Sequence, residues 1–231
     1  MYKSEWPWLN VHERYSSLSG YRPVLGSGGM VSSPHHAASA AGIEVLQRGG
    51  NAVDAAIAVS ATLMVVCPMQ CGPGGDAFWL FSDPASEVHC LNGAGPSPRA
   101  ASAEMLRAKG WSSIEARSVF SVTVPGAIDS WIKAHDRYGS MPLPQLIEPA
   151  ARLAESGFPA SRHTVSSFAL CEQLLREKHA CSLYTERGNM PELYSTVRQP
   201  ELARSLRDIA QTAGRSLYEG ELARAIISTC R

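Results

Sequence analysis

The sequence predicts an α+β protein, because most of the chain has helical periodicity while two short apolar segments have the pattern of a β-hairpin. Residues 51–66 contain one charged side chain, Asp54, and such a composition is typical of a buried helix. Residues 77–81 and 88–91 are rich in strand-forming side chains, and a turn-forming sequence at 82–84 separates them. The chain is therefore expected to fold around this helix and this hairpin.

Capping and turn residues predict the bounds of the first elements. A helix is predicted to begin at residues 32–34, Ser-Ser-Pro, because a hydroxyl side chain can cap a helix and proline suits its first turn. Gly49 and Gly50 are expected to end this helix, since glycine adopts the left-handed conformation without steric cost. Pro68 ends the buried helix, and a glycine loop at 71–75 leads into the hairpin.

Beyond the hairpin the pattern is mostly helical, with one short strand expected at 122–126. Helices are predicted at 101–109, 127–138, 145–155, 199–213 and 219–227, and an irregular helical region at 161–187. Apolar and charged side chains alternate in the helix at 199–213, which is typical of an amphipathic surface helix.

The composition argues against several classes of function. The 231 residues are 45% hydrophobic, which is ample for a core, and the formal net charge is +0 with a pI of about 7.0. Neither a nucleic acid nor a membrane surface is therefore expected as a partner. The first ten residues lack the apolar segment of a secretory signal, and the longest apolar run is too short to span a bilayer. We expect a cytoplasmic protein.

The cysteines and histidines form no recognisable metal or catalytic pattern. None of the six cysteines belongs to a CxxC pair, so we interpret them as reduced structural residues and expect neither a metal site nor another cofactor. His35 and His36 open the first helix, and His135 shares a helix face with Trp131 and Tyr138. A catalytic base or a metal ligand is the alternative at these positions, but a structural role is the favoured interpretation.

Several sequence blocks carry a resemblance to a known family. They are GGNAVDAA at 49–56, the glycine loop at 72–75, and further blocks at 124–127, 138–143, 149–158 and 217–223. In this order and spacing they resemble the N-terminal part of the large subunit of the gamma-glutamyltransferase family of N-terminal-nucleophile hydrolases. The resemblance covers roughly residues 25–227. The family includes members that act on oxamate, and the chain is expected to be similar to one of these. Residues 25–231 are accordingly assigned to the upstream part of one domain. Residues 1–24 are expected to form a surface arm, or to dock on a partner chain through their aromatic side chains.

The resemblance implies a four-layer αββα sandwich that a second chain completes. It also implies a precursor that cleaves itself before a threonine, which then acts as the nucleophile on the downstream chain. No catalytic residue is therefore expected in the present chain, and Thr229 does not have the sequence context of the cleavage site. The implied partner is the small subunit from the same precursor, and two such two-chain units are expected to form a dimer, a heterotetramer in all.

The loop at Asn92, Gly93 and Ala94 is the predicted substrate-binding segment. In the family, an arginine at the position of Ala94 pairs with the α-carboxylate of the γ-glutamyl substrate, and a neutral side chain cannot replace a guanidinium there. Arg99 follows five positions later, beyond two prolines, and is not expected to reach the same point. The expected function is thus hydrolysis of a small linear amide without the glutamyl head, such as oxamate.

The sequence leaves three alternatives open. The chain can belong to a gamma-glutamyltransferase or glutathione hydrolase that recognises the carboxylate elsewhere. The loop can be a plain turn, with specificity residing wholly in the downstream chain. The protein can also be a binding scaffold that no longer cleaves itself.

Overall fold

The computed structural model describes residues 24–83, 85–115, 118–177, 180–185 and 188–229 of the chain. It divides the chain into two units, Met1–Met30 and Val31–Arg231. In the first unit the described residues, 24–30, contain neither a helix nor a strand, and the predicted arm otherwise lies outside the described residues. Among the described helices, none combines the length and the apolarity needed to cross a membrane.

Helices dominate the second unit. Helices α1–α10 are His36–Gln47, Ala52–Val66, Ala103–Ala108, Ala127–Tyr138, Leu143–Ser156, Arg162–Leu170, Glu172–Glu177, Pro200–Gln211, Arg215–Tyr218 and Glu221–Thr229. Strands β1–β4 are Ala77–Ser82, Val88–Gly93, Phe158–Pro159 and Thr196–Val197, and short 3-10 helices occur at Val119–Ser121 and Ala180–Leu183. The expected α+β composition is confirmed.

Helix α2 lies at the centre of the core, as its apolar sequence predicts. Ile57, Ala58, Ala61 and Val65 have no exposed surface. The helix packs against α1, α4 and α5, and α5 packs in turn against α8. The small alanine side chains let neighbouring helices approach closely, and burial of each larger aliphatic side chain contributes about 1.5–3 kcal/mol.

A buried carboxylate fixes the start of α2. Asn51 caps the helix and accepts hydrogen bonds from the N–H groups of Val53 and Asp54, while Asp54 accepts from the N–H of Asn51 at 2.9 Å. Asp54 also accepts from the N–H of Ser140 at 3.1 Å and from its hydroxyl at 2.5 Å. Burial acts to raise the pKa of Asp54, but the hydrogen bonds from Ser140 and Asn51 outweigh it and leave that pKa below its usual range. The GGNAVD sequence therefore ties α2 to the turn that follows α4.

Helix α1 begins later than the sequence predicts, although it ends as expected. Its cap is His35, whose Nδ1 accepts from the N–H of Ala37 at 3.2 Å, and not a hydroxyl residue in 32–34. The Ser33 hydroxyl instead donates to the His35 carbonyl at 2.9 Å. An imidazole acceptor beside the first free amides thus replaces the expected serine cap. At the other end Gly49 has φ 89°, the left-handed conformation that ends a helix.

Strands β1 and β2 form the predicted antiparallel hairpin. Their register runs from Ala77 opposite Gly93 to Ser82 opposite Val88. Strand β2 continues two residues beyond the predicted 88–91, because Asn92 and Gly93 still pair with β1. Within the described residues this sheet has two strands, and β3 and β4 form a second, minimal pair.

The strand predicted at 122–126 is wrong. The segment starts after the 3-10 helix Val119–Ser121 and makes one backbone hydrogen bond to the neighbouring loop, from the N–H of Val124 to the carbonyl of Pro96 at 3.0 Å. Pro125 has no N–H to donate, so a regular ladder does not continue there.

The later helices follow the predicted pattern with shifted bounds. Helix α4 matches the predicted 127–138 at both ends, and the irregular region at 161–187 contains α6, α7 and a 3-10 turn. One helix was predicted at 219–227, but the structure has two helices between residues 215 and 229, α9 and α10. Backbone hydrogen bonds from Glu219 and Gly220 to Arg215 and Ser216 close α9 before α10 begins.

Candidate functional site

The three predicted substrate-binding residues lie where β2 ends and the chain bends. Asn92 pairs with Phe78 in the hairpin, and Gly93 pairs with Ala77. The Oδ1 atom of Asn92 accepts from the N–H of Ala94 at 2.9 Å, which closes the bend. Gly93 is buried, whereas Asn92 and Ala94 are exposed. The structure therefore places these residues at one bend, where Asn92 and Ala94 are accessible, and their binding of substrate stays a prediction.

Backbone segments approach each other so closely at this bend that several positions require glycine. A Cβ atom on Gly95 would lie 1.4 Å from the carbonyl oxygen of Val124, and one on Gly126 would lie 2.1 Å from that of Gly93. A Cβ atom on Gly93 would lie 2.5 Å from the carbonyl oxygen of Ala77. The carbonyl oxygens that a Cβ would meet are main-chain atoms, which cannot move aside as a flexible side chain can, so these positions require glycine. The bend is therefore lined largely by main-chain atoms.

The glycine loop is joined to the same bend through the start of α4. The carbonyl of Gly75 accepts from the N–H groups of Gly126 and Ala127, at 3.0 and 2.9 Å. Amides at a helix N-terminus have no partner inside the helix, so this carbonyl satisfies two of them. The loop, the end of β2 and the start of α4 therefore form one hydrogen-bonded unit.

Tyr218 fixes this unit from the C-terminal part of the chain. Its hydroxyl donates to the carbonyl of Pro125 at 2.9 Å and accepts from the N–H of Asp129 at 2.9 Å. Burial raises the pKa of the Tyr218 phenol, so the hydroxyl stays protonated at neutral pH and makes both bonds. The block at 217–223 resembles the family sequence, and this contact gives its tyrosine a structural role that the pattern alone did not.

Asp76 brings a carboxylate to the bend. Its Oδ1 atom accepts from the N–H of Gly95 at 3.3 Å, and its side chain is exposed. The sequence pattern did not single out Asp76, although an acidic residue directly between the glycine loop and β1 was an available signal. Arg99 is also exposed and forms no ion pair within the described part of the chain.

The two faces of the hairpin differ in their contacts. On the inner face, Trp79 Nε1 donates to the hydroxyl of Ser130 on α4 at 2.9 Å, and the ring of Phe81 contacts that of Tyr138, with centroids 4.8 Å apart. The outer hairpin face carries large exposed side chains, namely Phe78 (70% exposed), Leu80 (76%) and Val88 (70%). A monomeric surface seldom exposes adjacent large apolar side chains without a function for them.

The histidines singled out in the sequence have structural contacts. His35 caps α1, and burial first, then the neighbouring His36 and His163, lower its pKa, so it is neutral at physiological pH. A ring nitrogen of His135 is hydrogen-bonded to the carbonyl of Met141 at 2.7 Å. Burial also raises the pKa of the Cys67 and Cys71 thiols, which keeps them protonated and unreactive.

One group of possible metal ligands occurs among the described residues, at the turn of the hairpin. It consists of Asp83, Glu87 and His89, and its contacts are explained by the turn itself. Asp83 accepts from the N–H groups of Ala85 and Glu87 and is 3.0 Å from His89 Nε2. The hydrogen bond from His89 is the main reason why the pKa of Asp83 is lowered. Five residue steps of strand, about 17 Å, separate this turn from the bend.

Comparison with known structures identifies the class of fold. The chain is similar to a solved gamma-glutamyltranspeptidase of Helicobacter pylori, with a TM-score of 0.83 and 27% identity over 90% of this chain and 61% of that one. The family model described as gamma-glutamyltranspeptidase matches residues 38–231. The chain therefore belongs to the gamma-glutamyltranspeptidase family, which confirms the resemblance inferred from the sequence blocks.

Two curated relatives differ in the substrate that their names give. The chain is 41% identical over 213 residues to the glutathione hydrolase-like YwrD proenzyme of Bacillus subtilis (strain 168), covering 90% of this chain and 40% of that protein. It is 32% identical over 202 residues to the oxamate amidohydrolase proenzyme of Klebsiella pneumoniae, covering 84% of this chain and 38% of that protein. The chain thus spans about two fifths of the length of the curated relatives it matches.

Proposed function

We propose that this chain is the upstream, large-subunit part of a self-cleaving precursor that hydrolyses the C–N bond of linear amides. The observation that carries the proposal is the match of residues 38–231 to the gamma-glutamyltranspeptidase family model. The names of the relatives, which are proenzymes, support the division into upstream and downstream chains.

The proposed chemistry belongs to the downstream chain. Its N-terminal threonine attacks the amide carbonyl, and the α-amino group of the same residue takes the hydroxyl proton. An α-amine has a pKa of about 8, which suits a base that works near neutral pH. Backbone N–H groups stabilise the oxyanion. The C–N bond then breaks, and the leaving amine takes the proton held by the α-amino group. Water attacks the threonine ester that remains, and the acyl group leaves as a carboxylic acid while the threonine hydroxyl is restored. The part of this site in the present chain is the bend at 92–95, which positions the acyl donor.

The proposed partner is the downstream chain, and the outer hairpin face is its proposed contact surface. Phe78, Leu80 and Val88 lie on one side of a two-stranded sheet, with their side chains exposed. A second sheet packed about 10 Å above this face would bury them, which is the arrangement of the four-layer sandwich. The dimer of two-chain units stays a prediction, as does the cytoplasmic location.

A γ-glutamyl donor is the first candidate substrate. The relative with 41% identity is glutathione hydrolase-like, whereas the oxamate amidohydrolase is 32% identical, so the relatives favour the glutamyl donor over oxamate. An oxamate-like donor is the second candidate. Ala94 supports it, because the exposed bend has a methyl group where the family has the arginine that binds the α-carboxylate.

The test is to express the complete precursor and to follow both cleavage and turnover. We expect two chains on a denaturing gel, a downstream chain that starts with threonine, and hydrolysis of γ-glutamyl-p-nitroanilide. Glutathione and oxamate are assayed in parallel, and release of ammonia from oxamate at the higher kcat/KM would favour the second candidate.

The control is the precursor in which the threonine at the cleavage point is replaced by alanine. It is expected to stay uncleaved and inactive with every donor. A wild-type precursor that remains a single chain and hydrolyses none of the donors would contradict the proposed function and favour a binding scaffold.

A further inference from the structure

Asp76 is a charged side chain held at a bend that otherwise consists largely of main chain. Ala77 pairs with Gly93, so Asp76 lies one residue beyond the last pair of the hairpin, at the end where the chain bends. The N–H of Gly95 donates to its Oδ1 atom at 3.3 Å, which directs the carboxylate towards the bend and not along β1. Its position is therefore set by the backbone of two neighbouring segments.

The charge of Asp76 is not neutralised by the described part of the chain. No basic side chain there forms an ion pair with it, and the side chain is exposed. The neighbouring positions are uncharged, since Gly93 and Gly95 have no side chain and Ala94 offers a methyl group. A group that enters the bend thus meets one carboxylate and no cation from these residues.

We propose that Asp76 is a specificity-determining residue of the proposed hydrolase, which binds a cationic or hydrogen-donating head group of the acyl donor and disfavours an anionic one. This inference rests on the proposed function and names the class of donor for the same site. A γ-glutamyl donor has an ammonium group that Asp76 can bind, whereas oxamate has a carboxylate on a neutral amide. Asp76 therefore favours the γ-glutamyl donor over oxamate, although Ala94 has lost the contact for the α-carboxylate.

The test uses the mature two-chain enzyme and acyl p-nitroanilides that differ in head-group charge. The donors are 4-aminobutyryl (cationic), butyryl (neutral), glutaryl (anionic) and γ-glutamyl (both charges). In the wild type we expect kcat/KM for the cationic donor to exceed that for the anionic donor by about tenfold or more, the order of effect of one unit charge near a protein surface. The reverse order would overturn the proposal without any variant.

Asp76→Asn removes the charge and keeps an oxygen that can accept from Gly95. We expect it to lower kcat/KM for the 4-aminobutyryl donor and to raise it for the glutaryl donor, so that their ratio falls about tenfold. The kcat/KM for the butyryl donor should change little. If Asp76 had a purely structural role, kcat/KM would fall by the same factor for all donors and the ratio would stay unchanged, which would overturn the proposal.

Two further variants separate charge at the bend from charge in general. Asp136→Asn makes the same change of net charge at an exposed position on α4 and should leave the ratio as in the wild type. Asp76→Glu keeps the charge and should keep the preference for the cationic donor. Turnover with an unaltered ratio in Asp76→Asn overturns the role of Asp76 alone, whereas a wild-type enzyme inactive with all donors overturns the proposed function as well.

Discussion

Replacing Asp54 by asparagine tests whether the GGNAVD sequence stabilises the fold as the structure indicates. The carboxylate has no exposed surface and accepts from the N–H of Asn51 at 2.9 Å and from the N–H of Ser140 at 3.1 Å, in addition to the Ser140 hydroxyl. Asp54→Asn keeps the shape and one acceptor oxygen, but it removes the charge and turns an NH₂ group towards these donors.

The size of the effect follows from these contacts. A hydrogen bond to a charged group contributes about 1.5–3 kcal/mol, and leaving one buried donor unsatisfied costs about 1–3 kcal/mol. Since one oxygen remains, we expect a loss of about 3 kcal/mol. For a cooperative unit of 150–250 residues this would lower the melting temperature by roughly 6–12 °C. The mature enzyme is more than twice as long as this chain, judged from its relatives, so its larger unfolding entropy reduces the expected drop to roughly 3 °C.

The assay is thermal unfolding of the mature enzyme, with Asp129→Asn as the matched control. Asp129 is a half-exposed acid on α4 that pairs with Lys133 at 2.5 Å, and such a surface pair contributes less than about 1 kcal/mol. A melting temperature of Asp54→Asn within about 1 °C of the wild type, or an equal loss of stability in the control, would show that the Asp54 carboxylate does not stabilise the fold through these hydrogen bonds.

The pH dependence gives a second readout of the same carboxylate. Because the folded-state pKa of Asp54 is lowered, its contribution is present above the ordinary pKa of about 3.9 and is lost as the pH falls through the folded-state value. The difference in melting temperature between wild type and Asp54→Asn should therefore be constant from neutral pH to about pH 5 and shrink below about pH 4.

Three further changes test the bend and the outer hairpin face. Gly95→Ala should strongly lower soluble yield and activity, since its Cβ would lie 1.4 Å from the Val124 carbonyl, whereas Gly74→Ala has nothing within 4 Å of its Cβ and should be tolerated. Tyr218→Phe removes the bonds to Pro125 and Asp129 and should cost about 1–3 kcal/mol in a melting assay; Tyr194→Phe, at a 75% exposed side chain, should cost almost nothing. Leu80→Glu should leave most of the precursor uncut on a denaturing gel, while Leu170→Glu, at an 82% exposed position on α6, should be cut as in the wild type. Normal cutting of a soluble Leu80→Glu precursor would contradict the proposed contact.

The sequence predicted well those features that depend on local chemistry. The apolar composition of 51–66 marked α2, and glycine or proline marked the ends of α1 and α2. Patterns fixed by distant contacts were harder to predict. The segment at 122–126 looked like a strand, yet its long-range backbone hydrogen bonds go from Val124 to the carbonyl of Pro96 and from Gly126 to that of Gly75, which no local pattern reveals.

The candidate site shows the same division. Asn92 and Gly93 were predicted to lie in the loop after β2, but they are its last two residues, and the bend begins at Ala94. Their binding of substrate stays a prediction. The contributions of Asp76 and Tyr218 depend on contacts with Gly95 and Pro125, which are 19 and 93 positions away. Such pairings arise from the tertiary fold, so they could not be read from spacing.

The exposed outer hairpin face also bears on the order in which such a protein is made. The ribosome synthesises the upstream part first, so the apolar outer hairpin face stays exposed until the downstream part has been translated. Because both parts belong to one polypeptide, the downstream part is present at a high effective concentration near this face, which two separately encoded chains would not provide. If self-cleavage follows folding, it would also serve as quality control, because only a correctly folded precursor would expose the N-terminal threonine.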